Sequence, residues 1–323
     1  MKRLRLVPDE THIDFFKYRG LTFGISCVAM VASVIIWATM GLNFGIDFRG
    51  GTTIRTESES AISVADYRAA LDPLGLGDVV ISEVFDPTFE GTKHVASVRI
   101  QSQDEQESVA TDTIAKVETA LKTVDESVRF TSVESVGPKV SGELVTTALL
   151  AVGASLGAIL LYIWLRFEWQ FSLGAVFALF HDVLVTIGIF ALLQIRFDLA
   201  TIAALLTIIG YSINDTVVIF DRLRENLRKF KTMPLVDVMN VSVNETLSRT
   251  LMTSGTTLIA LIALLVLGGD VIRGFVFAIT WGVIIGTYSS VYVAKNVVLW
   301  FGVKRDWSKP DKSAGNQFAN IDA

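Results

Sequence analysis

Six long apolar runs decide what this chain can become. They fall at Leu21–Gly41, Leu144–Leu165, Phe171–Leu193, Leu199–Phe220, Leu251–Leu267 and Gly274–Phe301. Each approaches the roughly 20 residues that cross a bilayer as a helix. Lipid offers no water to backbone N–H and C=O groups, so each run must satisfy them along its own length, as a helix does. The last run is long enough to tilt or to continue along the membrane surface. Hydrophobic residues make up 51% of the 323. Their gathering into runs, rather than that average, predicts a polytopic α-helical membrane protein with six transmembrane helices.

Basic residues set the orientation. Lys2, Arg3 and Arg5 precede the first run, Arg222, Arg224, Arg228, Lys229 and Lys231 follow the fourth, and Lys304 and Arg305 follow the last. The positive-inside rule places all three groups in the cytoplasm. Residues 1–20, the link 221–248 and the tail 302–323 are then inside. Residues 42–142 and the short links Arg196–Asp198 and Gly269–Arg273 lie outside, and spans two to six occupy 143–301. The first run exceeds the roughly 7–15 apolar residues of a secretory signal and reads as a retained anchor. The single cysteine, Cys27, permits no internal disulfide, and no Cys/His metal spacing occurs.

The outer segment 42–142 reads as a separate folded domain, because its apolar pattern alternates between periods of 2 and 3.6. Strands are expected at Thr52–Thr56, Val79–Phe85, His94–Ile100 and Val128–Val136, with a turn at Pro87 and Gly91. Helices are expected at Val64–Leu74 and Val109–Val124. The order matches the split βαβ, ferredoxin-like motif. The domain is acidic, which argues against nucleic acid as a partner. Within the cytoplasmic link, Leu235, Val238 and Met239 follow Pro234 at helical spacing and suggest a short helix on the membrane surface.

Two glycine-bearing junctions flank the outer domain. Gly45-Ile46-Asp47-Phe48-Arg49-Gly50-Gly51 follows the first run and lacks the Lys-Ser/Thr of a phosphate loop. Its glycines suit a tight turn out of the membrane, and Asp47 can pair with Arg49. Gly137-Pro138 returns the chain to the second run. If the outer domain swings, these are its hinges. Gly153/Gly157 and Gly282/Gly286 are small-xxx-small pairs that let helices approach.

Ionisable residues inside the runs carry the functional signal, since charge at bilayer depth is costly and marks ion paths, proton relays or specific pairs. Asp215 sits in Gly210-Tyr211-Ser212-Ile213-Asn214-Asp215-Thr216, with Ser212 one turn back. Burial and a nearby cation act on such a carboxyl in opposite senses, which suits a protonation switch. The alternative is a structural carboxylate that caps another helix. Arg249 opens the fifth run and is either the partner of Asp215 or a snorkelling anchor. Thr253 and Thr257 extend its face. His181 and Asp182 lie mid-run, either as a relay or as a pair ordering a helix interface. No nucleophile–base constellation or nucleotide loop is present, so catalysis is not expected.

These motifs resemble the SecD/SecF family of bacterial protein-export proteins, on its SecF side, over essentially the whole chain. Those that carry the likeness are the Gly45–Gly51 run, His181-Asp182-Val183, Gly210–Val218, Asp221-Arg222-Leu223-Arg224-Glu225-Asn226 and Asn244-Glu245-Thr246-Leu247-Ser248-Arg249-Thr250. The resemblance implies a subunit of the RND superfamily in the bacterial inner membrane, with its outer domain periplasmic. It implies a separate SecD partner, since the chain is too short for the fused form. It further implies work with the SecYEG channel, with YidC/YajC as candidate neighbours, on a translocating preprotein already pushed by SecA. The proton-motive force would be the energy source, with no cofactor. Asp215 and Arg249 occupy the positions of the family's membrane acid and arginine. His181, Asp182, Ser212, Asn214 and Thr253 would serve a relay or a subunit contact. A non-conducting assembly subunit and a small-molecule efflux subunit are the alternative readings.

Overall fold

The computed structural model describes residues 11–84, 94–101 and 111–303, and these include six helices long and apolar enough to cross a membrane. Helix α1 (Arg19–Met40) leads through the short α2 (Ile46–Arg49) into a sheet domain. That domain runs β1 (Gly51–Ser58), α3 (Val64–Leu71), β2 (Val79–Val84), β3 (His94–Ile100), α4 (Thr111–Val124) and β4 (Arg129–Val136). Then come α5 (Pro138–Arg166), α6 (Trp169–Leu193), α7 (Leu199–Lys229), α8 (Leu235–Leu267) and α9 (Asp270–Ser289). A π-helical turn at Ser290–Ala294 joins α9 to α10 (Lys295–Phe301). The chain is a multi-pass membrane protein with one small antiparallel sheet domain.

The sheet has the order β2-β3-β1-β4, antiparallel throughout. Its period of two sends Ile54, Val98 and Ile81 to one face, in register across three strands. They bury with Tyr67 and Leu71 of α3 and Val117 and Leu121 of α4. Ser63 caps α3 by accepting from the Asp66 amide at 3.2 Å. The helix expected to run to Leu74 tightens into a 3₁₀ turn at Asp72–Leu74, where the Pro73 ring removes a helical N–H. The turn expected at Pro87 and Gly91, and the first residues of the helix expected from Val109, lie outside the described residues.

The bundle centres on α7 and α9. Small residues set the closest approaches, because lipid supplies no hydrophobic drive between helices. A Cβ on Gly282 would collide with the Ile208 side chain, and one on Gly286 would lie 3.0 Å from Ser212. Gly188 of α6 meets α1, where an added Cβ would stand 2.8 Å from the Ser33 Cα itself. That contact cannot be relieved by a rotamer change. Gly188→Leu is expected to separate α1 from α6 at a cost of about 3 kcal/mol or more, seen as a lower melting temperature in detergent. Gly24→Leu, with nothing within 4 Å, is the neutral control. Gly153 and Gly157 also have nothing within 4 Å, so their motif makes no seam among the described residues.

Helices α7 and α8 have 31 and 33 residues. They are therefore about 46 and 50 Å long, against about 30 Å of hydrocarbon, and both overrun the membrane at their joined ends. The separate surface helix expected after Pro234 does not form. Pro234 instead starts α8, and Val238, Met239 and Val243 pack with Phe220, Leu223 and Leu227 of α7. Burial of that apolar face carries α8 straight out of the membrane.

Candidate functional site

The first junction is built onto the start of α7. The Gly45 amide donates to the Phe197 carbonyl and the Phe197 amide to the Asn43 carbonyl, each at 2.8 Å. A Cβ on Gly45 would stand 3.3 Å from that of Asp198. Asp198 caps α7 by accepting from the Thr201 amide at 3.0 Å, and Asp47 accepts from the Leu199 amide at 3.0 Å. Both carboxylates thus sit at the positive end of the helix dipole. The expected Asp47–Arg49 pair is not made, because Asp47 serves α7 while the Arg49 guanidinium lies over the Phe44 ring at 5.9 Å. Gly50 and Gly51, at φ +71° and +120°, turn the chain into β1. A Cβ on Gly50 would lie 3.4 Å from Pro138. Gly137 precedes the first turn of α5, which Pro138 opens, so the two junctions meet side by side.

Two further contacts tie the sheet to the bundle. Arg55 of β1 pairs with Asp270 at the start of α9 at 2.8 Å, and Arg99 of β3 donates to the Phe44 carbonyl at 2.8 Å. Burial, then the neighbouring Arg196 and Arg49, hold the Arg99 guanidinium below the usual arginine range. Between the open sheet face and the link before α7 lies a cavity of about 480 Å³, lined by Thr53, Arg55, Ser132, Arg196 and Phe275 among others.

Inside the membrane-spanning region, Asp182 of α6 is the best-connected carboxylate, at 0% exposure. It accepts from Ser212 of α7 at 2.6 Å and Ser289 of α9 at 2.8 Å. His181 Nδ1 lies 2.9 Å from its other oxygen. Although neighbouring side chains leave a helix about 100° apart, this histidine folds back onto the adjacent carboxylate. The π turn extends the network, with Ser290 donating to the Ser212 carbonyl at 3.3 Å and sharing a 2.9 Å hydrogen bond with Thr216. Such turns recur at functional sites.

Asp215 stands apart from this cluster. It is 4% exposed, and among the described residues its Oδ2 has no hydrogen-bond partner. Ser212, expected on its face, is turned to Asp182 instead. Arg249 is within electrostatic reach of Asp215 but forms no ion pair among the described residues. It lines a cavity of about 360 Å³ with Asp221, Arg222, Glu225 and Glu245. Among the described residues Thr253 donates only to carbonyls of its own helix, at Arg249 and Thr250, while Ser254 shares a 2.7 Å bond with Thr287 of α9. Asn214 is exposed on the bundle surface. The sequence reading overlooked Ser289, Ser290, Thr287 and Lys295, although a serine pair and a lysine inside the last apolar run were visible signals.

Fold and site together define a polytopic helical membrane protein whose buried carboxylates lie in a bundle tied to a small sheet domain. Residues 116–304 match the family model described as protein export membrane protein SecD/SecF, C-terminal, and residues 35–62 match the SecD/SecF GG motif. The chain belongs to the SecD/SecF family. It is 68% identical over 321 residues to the protein translocase subunit SecF of Cereibacter sphaeroides, covering 99% of both chains. It is 41% identical over 308 residues to that of Vibrio alginolyticus, covering 95% of each. The crystal structure of SecDF, a translocon-associated membrane protein from Thermus thermophilus, superposes with a TM-score of 0.81 at 34% identity. That match covers 92% of this chain and 39% of the SecDF chain.

Proposed function

We propose that this chain works with a SecD-like partner in a bacterial inner membrane, with both termini cytoplasmic and the sheet domain periplasmic. There it couples the proton-motive force to the late steps of protein export through SecYEG, with YidC/YajC as further neighbours. Its role is non-catalytic, and the proton gradient replaces any cofactor. The observation that carries this reading is Asp215, a buried carboxylate with one oxygen unsatisfied and a cation near but not paired.

Asp215 takes a proton from the periplasmic side and releases it to the cytoplasm, and Arg249 is its charge-switched partner. Deprotonation strengthens the Asp215–Arg249 attraction and protonation removes it, so α8 shifts against α7. The outer ends of α7 and α9 are held by Asp47 and by the Arg55–Asp270 pair, which carry the shift to the sheet domain. One charge crossing 100 mV supplies about 2.3 kcal/mol. A complete 1:99 to 99:1 switch needs about 5.5 kcal/mol, so several protons per cycle or a small intrinsic gap are required. The Asp182 cluster, already saturated by three helices, registers the bundle.

Proton flux tests the reading. In proteoliposomes holding the chain and its partner, an imposed pH gradient is expected to drive uptake that Asp215→Asn removes; unchanged uptake would sink the proposal. The partner surface is separately testable. Thr207, Gly210 and Asn214 form an exposed stripe on α7, and a bare amide at bilayer depth is costly against lipid. A cysteine placed at Asn214 is expected to cross-link to the partner, whereas one at Leu150 on α5 is not. Equal cross-linking at both positions would remove α7 as the partner-facing helix.

A further inference from the structure

The chain before α1 is bound to the bundle through its backbone. Ile13 donates its amide to Asn244 Oδ1 at 2.9 Å, and Phe15 donates to Asn240 Oδ1 at 2.9 Å. In return Asn244 Nδ2 donates to the Ile13 carbonyl at 2.8 Å, and Asn240 Nδ2 donates to Asp14 at 3.2 Å. Asn240 and Asn244 are four residues apart on α8, so they share one face and bind the backbone of residues 13–15, just before the chain turns at Phe15–Tyr18 into α1.

The segment then plugs into the core. Phe15 and Phe16 are buried in the cluster that holds α7, α8 and the π turn. Lys295, 1% exposed, follows that turn directly. Its ammonium lies 4.1 Å from the Phe16 ring centre, 5.0 Å from that of Phe15 and 5.1 Å from that of Tyr292. Its one hydrogen bond among the described residues goes to the Phe15 carbonyl at 3.2 Å. An ammonium has three donors, and this one is held by aromatic faces and a carbonyl, with the Asp14 carboxylate of the same segment within electrostatic reach. Withdrawal of the segment would leave it buried with the Tyr292 ring as its one remaining contact among these.

Both ends of this strap touch elements that flank Asp215. Asn244 lies five residues before Arg249 on the same helix, about 7.5 Å of rise. Lys295 adjoins the π turn, whose Ser290 bonds to α7 at Ser212 and Thr216. We propose that residues 11–16 form a cytoplasmic strap that sets the resting register of α8, and so the distance from Arg249 to Asp215, and that must slide during each cycle. Asn240, Asn244 and Lys295 are then positioning residues for Arg249. The proposal rests on the proton-coupled reading above.

A reversible lock tests it. Thr11 and Val241 line one cavity of about 500 Å³ between strap and α8. In a Cys27→Ser background, Thr11→Cys with Val241→Cys leaves both asparagines in place. A reducible thiol cross-linker is applied to inner-membrane vesicles carrying the complete complex. Proton-driven export is expected to fall at least fivefold on cross-linking and to recover on reduction. Full activity in the locked state would overturn the proposal and make the strap a static anchor. Asp215→Asn vesicles run alongside separate the two ideas. If they export normally, the proton-coupled reading fails on its own evidence, whatever the lock does.

Discussion

Asp182→Ala is expected to destabilise the bundle more than any other single polar change in it. The substitution strands Ser212 of α7 and His181 of α6 in a site closed to water, and takes from Ser289 of α9 its interhelical acceptor, leaving it the Gly286 carbonyl of its own helix. A buried group left unsatisfied costs about 1–3 kcal/mol. Hydrogen bonds between membrane helices average nearer 0.6 kcal/mol, because the separated helices also find partners. Two stranded groups, one lost interhelical bond and a small cavity give about 3 kcal/mol in total. The expected readout is a lower melting temperature in detergent and less chain in the membrane. Asp182→Asn keeps one acceptor oxygen and should recover at least half of the loss. If the asparagine variant folds normally yet exports no better than alanine, Asp182 carries a proton rather than holding helices.

The sequence made the bundle legible because lipid leaves the backbone no choice but helix over each apolar run. The sheet domain was equally readable, since Ile54 and Val98 alternate with polar neighbours and turn residues punctuate the strands. Composition could not say where each helix leaves the membrane. Pro234 looked like the start of a detached surface helix, yet Val238 and Val243 found apolar partners on α7 and extended α8 instead. The buried acids were visible as charges in apolar runs, but their partners were not. Ser212 precedes Asp215 by one turn, so local spacing favoured that pair. The close approach of α9 along Gly282 and Gly286 brings Ser289 to Ser212 and makes Asp182 their common acceptor. Junction chemistry was misread for the same reason. Asp47 had a cation two residues away but serves the unfilled amides of α7, a helix that begins some 150 residues later. The backbone reading by Asn240 and Asn244 had no local signature at all.

The second large effect belongs to Asp215. Asparagine preserves its shape and removes only the ability to exchange a proton. If one proton crossing 100 mV contributes about 2.3 kcal/mol to the limiting step, its loss slows late export by up to about 50-fold. Packing around Asp215 involves no hydrogen bond to Oδ2, so folding and partner binding should be spared. Arg249→Lys keeps the charge on a flexible stem, and its export rate is expected to fall between wild type and Asp215→Asn.

The most direct measurement is pulse-chase export of a secreted reporter in cells depleted of the resident subunit and carrying Asp215→Asn at matched membrane abundance. Proton coupling through Asp215 predicts that the reporter stalls while the SecD-like partner still co-purifies. Export at the wild-type rate would contradict it and leave a subunit that only assembles and steadies the translocon.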